Sequence, residues 1–94
     1  MKRRVVITGI GAVTPIGTGV KKFWENLVKG VSGVDYIKSF NPDDYGIPVK
    51  IAAEVKDFNP EEFMDKKDAR KASRFVQFAI AAVKEALEDS GLLE

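Results

Sequence analysis

The chain has 94 residues, of which 45% are apolar and 31% are charged, and its formal net charge is +1. A chain of this length forms at most one small domain, and its near neutrality excludes a globally basic nucleic-acid binder. It contains no cysteine and no histidine, so these residues supply no disulfide, no thiolate nucleophile and no imidazole base.

The sequence also lacks targeting and membrane features. No apolar run approaches the roughly 18 residues that a membrane-spanning helix requires. Only three apolar residues, Val5 to Ile7, follow the basic start, which is too few for the core of a signal peptide. We therefore expect a cytoplasmic protein that binds neither membrane nor nucleic acid.

The first predicted element is a strand over residues 2–8, built on the run Val5, Val6 and Ile7. An unbroken β-branched run is typical of a strand that is buried on both faces. Glycines then supply the backbone freedom for a tight turn into a helix. These glycines are Gly9, Gly11, Gly17 and Gly19.

Gly9 and Gly11 also match the start of the dinucleotide-binding fingerprint G-x-G-x-x-G. Thr14, followed by Pro15, however, stands where the third glycine would let helix and strand approach closely. The predicted helix also begins too late to direct its N-terminus at a pyrophosphate. We therefore favour a structural turn, with a degenerate nucleotide-binding half-domain as the alternative.

An amphipathic helix is predicted over residues 19–29, with Thr18 as its N-cap and Gly30 just past its end. Its apolar residues recur at helical spacing and form one stripe. The stripe consists of Val20, Phe23, Trp24, Leu27 and Val28. Residues 35–40, beyond the next glycine, are expected to be irregular or weakly extended.

One arrangement occurs twice in the middle of the chain. Asn41 and Asn59 are each followed by a proline and two acidic residues, the order that is typical of a capped helix start. Aromatic residues flank both copies at the two hydrophobic-staple positions. Helical turns are therefore predicted near residues 42–45 and 60–64, with a half-exposed edge strand over residues 49–56 between them.

Residues 65–88 contain no glycine or proline. Asp65 is a candidate N-cap of a short helix up to Lys71, and a longer helix follows to residue 89, before Gly91; one continuous helix is the alternative. The longer helix is apolar almost all round in its first turns, and such a helix requires cover on more than one side. We therefore expect this chain to be part of a larger fold.

Lys67, Arg70, Lys71 and Arg74 occupy positions i, i+3, i+4 and i+7, and on one helix they would form a basic stripe. Such a stripe is commonly no more than a solvated helix face. The functional interpretation is a docking surface for an acidic protein, because aligned cations steer association and fix the register of a complex.

Four segments carry a specific family resemblance: RRVVITGIGAVTPIG, FWENLVKGVSGV, VKIAAEVKDFNPEEF and DKKDARKASRFVQFAIAAVKEALEDSGL. With them the chain resembles the N-terminal part of the β-ketoacyl-acyl-carrier-protein synthase II family of condensing enzymes, over essentially all 94 residues. Polyketide ketosynthases share much of this pattern and are a close alternative. A stand-alone module that binds an acidic protein is an alternative of another class.

The resemblance implies an α/β chain that forms the first part of a thiolase-like layered α/β/α/β/α fold. Residues 1–94 would then be an incomplete N-terminal portion of one ketosynthase domain. The family catalyses a decarboxylative Claisen condensation in fatty-acid synthesis with a cysteine and two histidines. All three would lie beyond residue 94, so no catalytic residue is expected in this chain, and the chain alone should be inactive.

The resemblance also implies partners. In the family, acyl-carrier protein docks on a basic patch, and the matching positions are Lys67, Arg70 and Lys71, with Lys66 and Arg74 as further candidates. The remainder of the ketosynthase chain and a second copy in a homodimer are the other implied partners. No cofactor and no metal is implied, since the phosphopantetheine group belongs to the carrier.

Overall fold

The computed structural model describes residues 2–92, which form three α-helices, four short strands and two 3₁₀ turns. The helices are α1 (Val20–Val28), α2 (Lys66–Lys71) and α3 (Arg74–Ser90). The strands are β1 (Val13–Thr14), β2 (Gly17–Thr18), β3 (Val34–Tyr36) and β4 (Ile51–Ala53). The 3₁₀ turns span Pro42–Tyr45 and Pro60–Glu62.

The N-terminal segment lies directly against α3. A Cβ atom on Gly11 would come 1.8 Å from the Ala82 carbonyl oxygen, and one on Gly9 would come 2.2 Å from that of Ala86. Only glycine permits so close an approach of two backbones. Ala81, on the same helix, is 2% exposed, so part of the small core of the described chain lies at this contact.

The predicted buried strand over residues 2–8 is not formed. Val5 and Ile7 expose 94% and 84% of their surface, and the segment adopts no regular structure. A strand exists only through the neighbour that pairs with it, and no residue among 2–92 pairs with this segment. The β-branched run favours extended backbone, but it forms a strand only where another strand pairs with it.

Strands β1 and β2 pair as a small antiparallel hairpin that leads into α1. Helix α1 confirms the helix predicted over residues 19–29, and Gly30 follows it with a left-handed φ of 74°. The prediction of Thr18 as N-cap is wrong. The cap position is Gly19, and the Thr18 hydroxyl instead donates to the carbonyl of Asp57, which is distant in sequence.

Strands β3 and β4 pair antiparallel, with Asp35 opposite Ala52. Residues 35–40 were predicted to be irregular or weakly extended, and their first two residues lie in β3 because β4 supplies the hydrogen-bonding partner. The strand predicted over residues 49–56 is present but shorter, since only three residues of it are paired. Together with the 3₁₀ turn between them, these strands form an arm.

Two carboxylates of this arm accept backbone hydrogen bonds. The Lys38 N–H donates to Glu54 at 2.9 Å, and this bond, followed by one from the Ser39 side chain, lowers the pKa of Glu54. The Tyr36 N–H donates to Asp35 at 2.7 Å, and with the nearby Lys38 ammonium it lowers the pKa of Asp35.

Both Asn-Pro arrangements form the predicted capped turns, as 3₁₀ rather than α-helix. The side-chain oxygens of Asn41 and Asn59 each accept the backbone N–H two residues further on, at 3.1 Å. The flanking rings contact each other in both copies, which confirms the hydrophobic staples. Phe40 and Tyr45 have centroids 5.8 Å apart, and Phe58 and Phe63 have centroids 5.6 Å apart.

Large apolar faces stay exposed. The radius of gyration is 16.6 Å, against about 12 Å for a compact domain of this length. No residue of α1 is buried, and Trp24 is 61% exposed. An open apolar groove of about 510 Å³ runs along α3, lined by Ala79, Ile80, Val83, Lys84 and Leu87. Within residues 2–92, no helix is both long and apolar enough to cross a membrane.

Candidate functional site

Helix α2 contains four cations and one acid in six residues. It begins after the extended residue Asp65, whose carbonyl accepts the Ala69 N–H at 2.9 Å. Arg70 and Lys71 lie in its last turn, where cations offset the negative end of the helix dipole. The backbone leaves the helical conformation at Ala72 (ψ 136°). The prediction of a separate short helix is therefore confirmed, and the alternative of one continuous helix is wrong.

The cationic side chains of α2 point into solvent. They are Lys66, Lys67, Arg70 and Lys71, which we call the basic face. The ion pairs found among residues 2–92 join other residues: Lys22 with Asp57, Lys38 with Asp35, and Lys50 with Asp43. Ala69 is 8% exposed and forms the inner side of the helix. The basic face thus presents four cations without an acidic partner in the described part of the chain.

Arg74 does not continue the basic face. The predicted i, i+3, i+4, i+7 stripe requires one helix, and the chain leaves the helix between α2 and α3. The Arg74 guanidinium lies 4.9 Å from the ring centroid of Phe78 and 5.6 Å from that of Phe58. It also donates to the Val55 carbonyl at 2.9 Å. Cation–π contacts and this hydrogen bond give Arg74 a structural role.

Gln77 connects α2 to α3, and the sequence analysis did not identify it. Its side-chain amide donates to the Ala69 carbonyl at 2.9 Å and to the Ala72 carbonyl at 3.4 Å. The sequence indicates its importance only by placing a polar residue between Val76 and Phe78 in an apolar stretch. A buried amide requires partners, but the sequence does not show which ones.

Carboxylates of α3 hold the glycine-rich segment. The two oxygens of Glu85 accept the N–H groups of Ala12 at 2.8 Å and Val20 at 2.9 Å. The Ile10 N–H donates to Asp89 at 3.1 Å. In a nucleotide-binding loop such amides would bind phosphate, whereas here they bind carboxylates. The geometry favours the structural turn that the missing third glycine indicated.

No catalytic constellation emerges from the described residues. Among residues 2–92, no three side chains of the acidic, histidine or cysteine types come together as a metal site. The basic face is a cluster of exposed cations, and its charge is complementary to an acidic surface.

The fold agrees with that of a ketosynthase. The chain superposes on the solved structure of the ishigamide ketosynthase/chain length factor with a TM-score of 0.85 and 37% sequence identity. The superposition covers 100% of this chain and 23% of that one, so the α/β segment is an N-terminal piece of the thiolase-like fold. Residues 2–94 match the family model of the β-ketoacyl synthase N-terminal domain, and the chain belongs to the β-ketoacyl synthase family.

Similar curated relatives are named 3-oxoacyl-[acyl-carrier-protein] synthase 2. The one from Staphylococcus aureus (strain COL) is 50% identical over 90 residues, which are 96% of this chain and 21% of the relative. The one from Coxiella burnetii (strain RSA 493 / Nine Mile phase I) is 50% identical over 91 residues, 97% of this chain and 22% of the relative. The chain thus spans about a fifth of the length of these relatives. The family resemblance drawn from the sequence is confirmed.

Proposed function

We propose that this chain is the N-terminal portion of one β-ketoacyl synthase domain, and that the complete protein elongates fatty acids. The support is the 50% identity, over 96% of the chain, to a relative named 3-oxoacyl-[acyl-carrier-protein] synthase 2. Identity to the ishigamide ketosynthase/chain length factor is lower, at 37%. The higher identity to the synthase 2 relatives supports the fatty-acid role, and a polyketide-type ketosynthase is the alternative.

The proposed reaction is a decarboxylative Claisen condensation. An acyl group is carried as a thioester on a cysteine of the complete protein. Malonyl-acyl-carrier protein loses carbon dioxide, and the resulting carbanion attacks the thioester carbonyl, forming a carbon–carbon bond and releasing the cysteine thiolate. Two histidines assist the decarboxylation and stabilise the developing oxyanion. This chain has neither residue type, so its contribution is scaffold and docking surface.

We assign acyl-carrier protein docking to Lys67, Arg70 and Lys71, with Lys66 at the edge of the same basic face. Three observations support this proposal: these side chains are exposed, they lack acidic partners among residues 2–92, and they stand on a helix tied to α3. Fixed cations of this kind attract and orient an acidic protein. Arg74 contributes less, because its guanidinium is engaged by Phe58 and Phe78.

The proposal extends to the assembly. The exposed faces of α1 and α3 would be covered by the rest of the synthase chain, which acts as a cytoplasmic homodimer without a cofactor or metal of its own. Their apolar character supports this, because isolated soluble proteins seldom leave such large faces uncovered.

The experiment compares two substrates in the complete protein. Condensation is measured with acyl-carrier protein and with a short acyl thioester that lacks the carrier. The variant K67E/R70E/K71E is expected to lower the ratio of kcat/KM for the first substrate to that for the second by about a hundredfold. The loss should lie mainly in KM and should shrink as ionic strength rises, because salt screens exposed charges.

The matched control is K2E/K21E/K29E, which changes the net charge equally at exposed lysines outside α2. Its substrate ratio should stay within about twofold of the unaltered protein. Equal losses on both substrates in the α2 variant would show that the basic face is structural. Absence of β-ketoacyl product and carbon dioxide with the unaltered protein would refute the proposed reaction.

A further inference from the structure

Gln77 is a buried polar side chain on the face of α3 that meets α2. It is 9% exposed, and its amide group donates to two backbone carbonyls of the α2 region, those of Ala69 and Ala72. A buried amide left without partners costs free energy. The bonds therefore favour one arrangement of the two helices over others.

The acceptors lie where α2 most needs partners. The last carbonyls of any helix lack an intrahelical donor, and the stronger of the two bonds reaches the Ala69 carbonyl at 2.9 Å. Helix α2 has only six residues, and helices well below about 12 residues are not stable by propensity alone. Its one buried side chain is Ala69, which offers little apolar contact. Apart from its packing against the 3₁₀ turn Pro60–Glu62, the direction of α2 therefore depends on the hydrogen bonds that it receives from α3.

The link between the helices does not impose that direction. Ala72 and Ser73 both have extended backbone, with ψ of 136° and 162°. Two extended residues between helices form a joint whose angle is set by contacts outside it. Gln77 bridges this joint from the α3 side.

We propose that Gln77 is the positioning residue of the docking surface, because it fixes the angle between α2 and α3 and thereby aims Lys67, Arg70 and Lys71 at the carrier protein. This inference rests on the docking role proposed above. Gln77 acts through the helix, since its side chain is buried behind Ala69. All three cations belong to one short helix, so a change in its angle displaces them together and disturbs their register with an acidic partner.

The test is Gln77→Met in the complete synthase. Methionine has a similar length and volume but donates no hydrogen bond. The ratio of kcat/KM with acyl-carrier protein to kcat/KM with the carrier-free thioester should fall about five- to tenfold, the scale of one buried hydrogen bond. The change should appear in KM. An unchanged ratio, whether both rates fall equally or neither falls, would overturn the proposal.

Hydrogen exchange separates this inference from the docking proposal. In Q77M, amide exchange in α2 should accelerate while that of α3 keeps its protection, and this measurement needs no carrier protein. The K67Q/R70Q/K71Q variant, which adds no acid to the last turn of α2, should keep slow exchange in α2 while losing carrier-dependent activity. If that variant leaves the substrate ratio intact, the docking role fails, and the exchange result still decides whether Gln77 holds α2.

A combined variant supplies the strictest test. Adding Q77M to K67E/R70E/K71E should lower the substrate ratio no further, because Gln77 is proposed to act only through those cations. A full additional five- to tenfold loss would overturn the proposal. If Q77M does not fold, Q77N replaces it, since its amide is one methylene shorter and falls short of Ala69. Loss of α3 protection in both variants would show that Gln77 supports α3 itself and would also overturn the proposal.

Discussion

Two glycines of this chain are required for opposite reasons. At Gly11 the φ angle is not positive, but the space for a side chain is occupied by the backbone of α3, 1.8 Å from the ideal Cβ position. At Gly46 nothing lies within 4 Å of that position, but φ is 65°. The first glycine permits a close approach, and the second permits a left-handed turn.

This contrast predicts different costs for the same substitution. Gly11→Ala should lower the free energy of unfolding of the complete protein by about 3 kcal/mol or more, because neither backbone can move aside without losing the Glu85 hydrogen bonds. Gly46→Ala, the matched control, should cost only about 1 kcal/mol, the penalty of a left-handed alanine. Chemical denaturation of both variants measures this. Equal losses would mean that the segment does not lie against α3 as described.

At the scale of elements, the arm built from β3 and β4 depends on local carboxylates as well as on its short ladder. Glu54 accepts the Lys38 N–H, and its lowered pKa reports that the charged form is favoured in the folded arm. A carboxyl whose pKa is lower in the folded than in the unfolded state stabilises the fold above its unfolded pKa. That contribution is lost as the pH falls through the folded value.

The arm should therefore loosen on acidification. The intrinsic exchange rates are first corrected for pH. Amide exchange around Lys38 and Ser39 should then accelerate as the pH falls below 4.5, the ordinary pKa of a glutamate side chain, and on through the lowered pKa of Glu54. Glu54→Gln should show the faster exchange already at neutral pH and should lose this part of the pH dependence. Glu25→Gln, an exposed acid on α1, serves as control and should behave like the unaltered protein. An unaltered pH profile in Glu54→Gln would contradict the role given to this carboxylate.

At the scale of the whole molecule, the described chain does not cover its own apolar surfaces. Trp24 and Val28 of α1 and the groove along α3 face solvent, and the radius of gyration exceeds that of a compact domain. The chain also spans only about a fifth of the length of its curated relatives. Both observations support the proposal that these residues are part of one larger domain.

The isolated 94-residue polypeptide is accordingly expected to unfold without a cooperative transition and to bind a hydrophobic dye. The physical reason is that too little apolar surface is buried to offset the loss of chain entropy. Thermal denaturation followed by circular dichroism, with dye fluorescence measured in parallel, checks this. The complete protein serves as the control. A sharp transition with no dye binding would favour the stand-alone binding module instead.

Local sequence was sufficient for several elements. The capped turns after Asn41 and Asn59 and the helices α1, α2 and α3 lie close to their predicted positions, because caps, staples and helical periodicity act over a few residues. The same segments contain the motifs that resemble the β-ketoacyl synthase family. The strand over residues 2–8 was mispredicted, because a strand depends on a partner that lies elsewhere in the chain or outside it.

The tertiary structure decided the rest. It divided the basic stripe, placing Arg74 over two aromatic rings, and it joined α3 to the glycine-rich segment through Glu85, 73 positions from Ala12. It also set the Gln77 amide against the Ala69 carbonyl of α2. The sequence by itself determined which short segments form and which family they belong to, since those properties arise from neighbouring residues. Which side chains hold the segments together depended on contacts across the fold. The sequence shows that a buried polar group needs a hydrogen-bonding partner, but it does not show which residue supplies that partner.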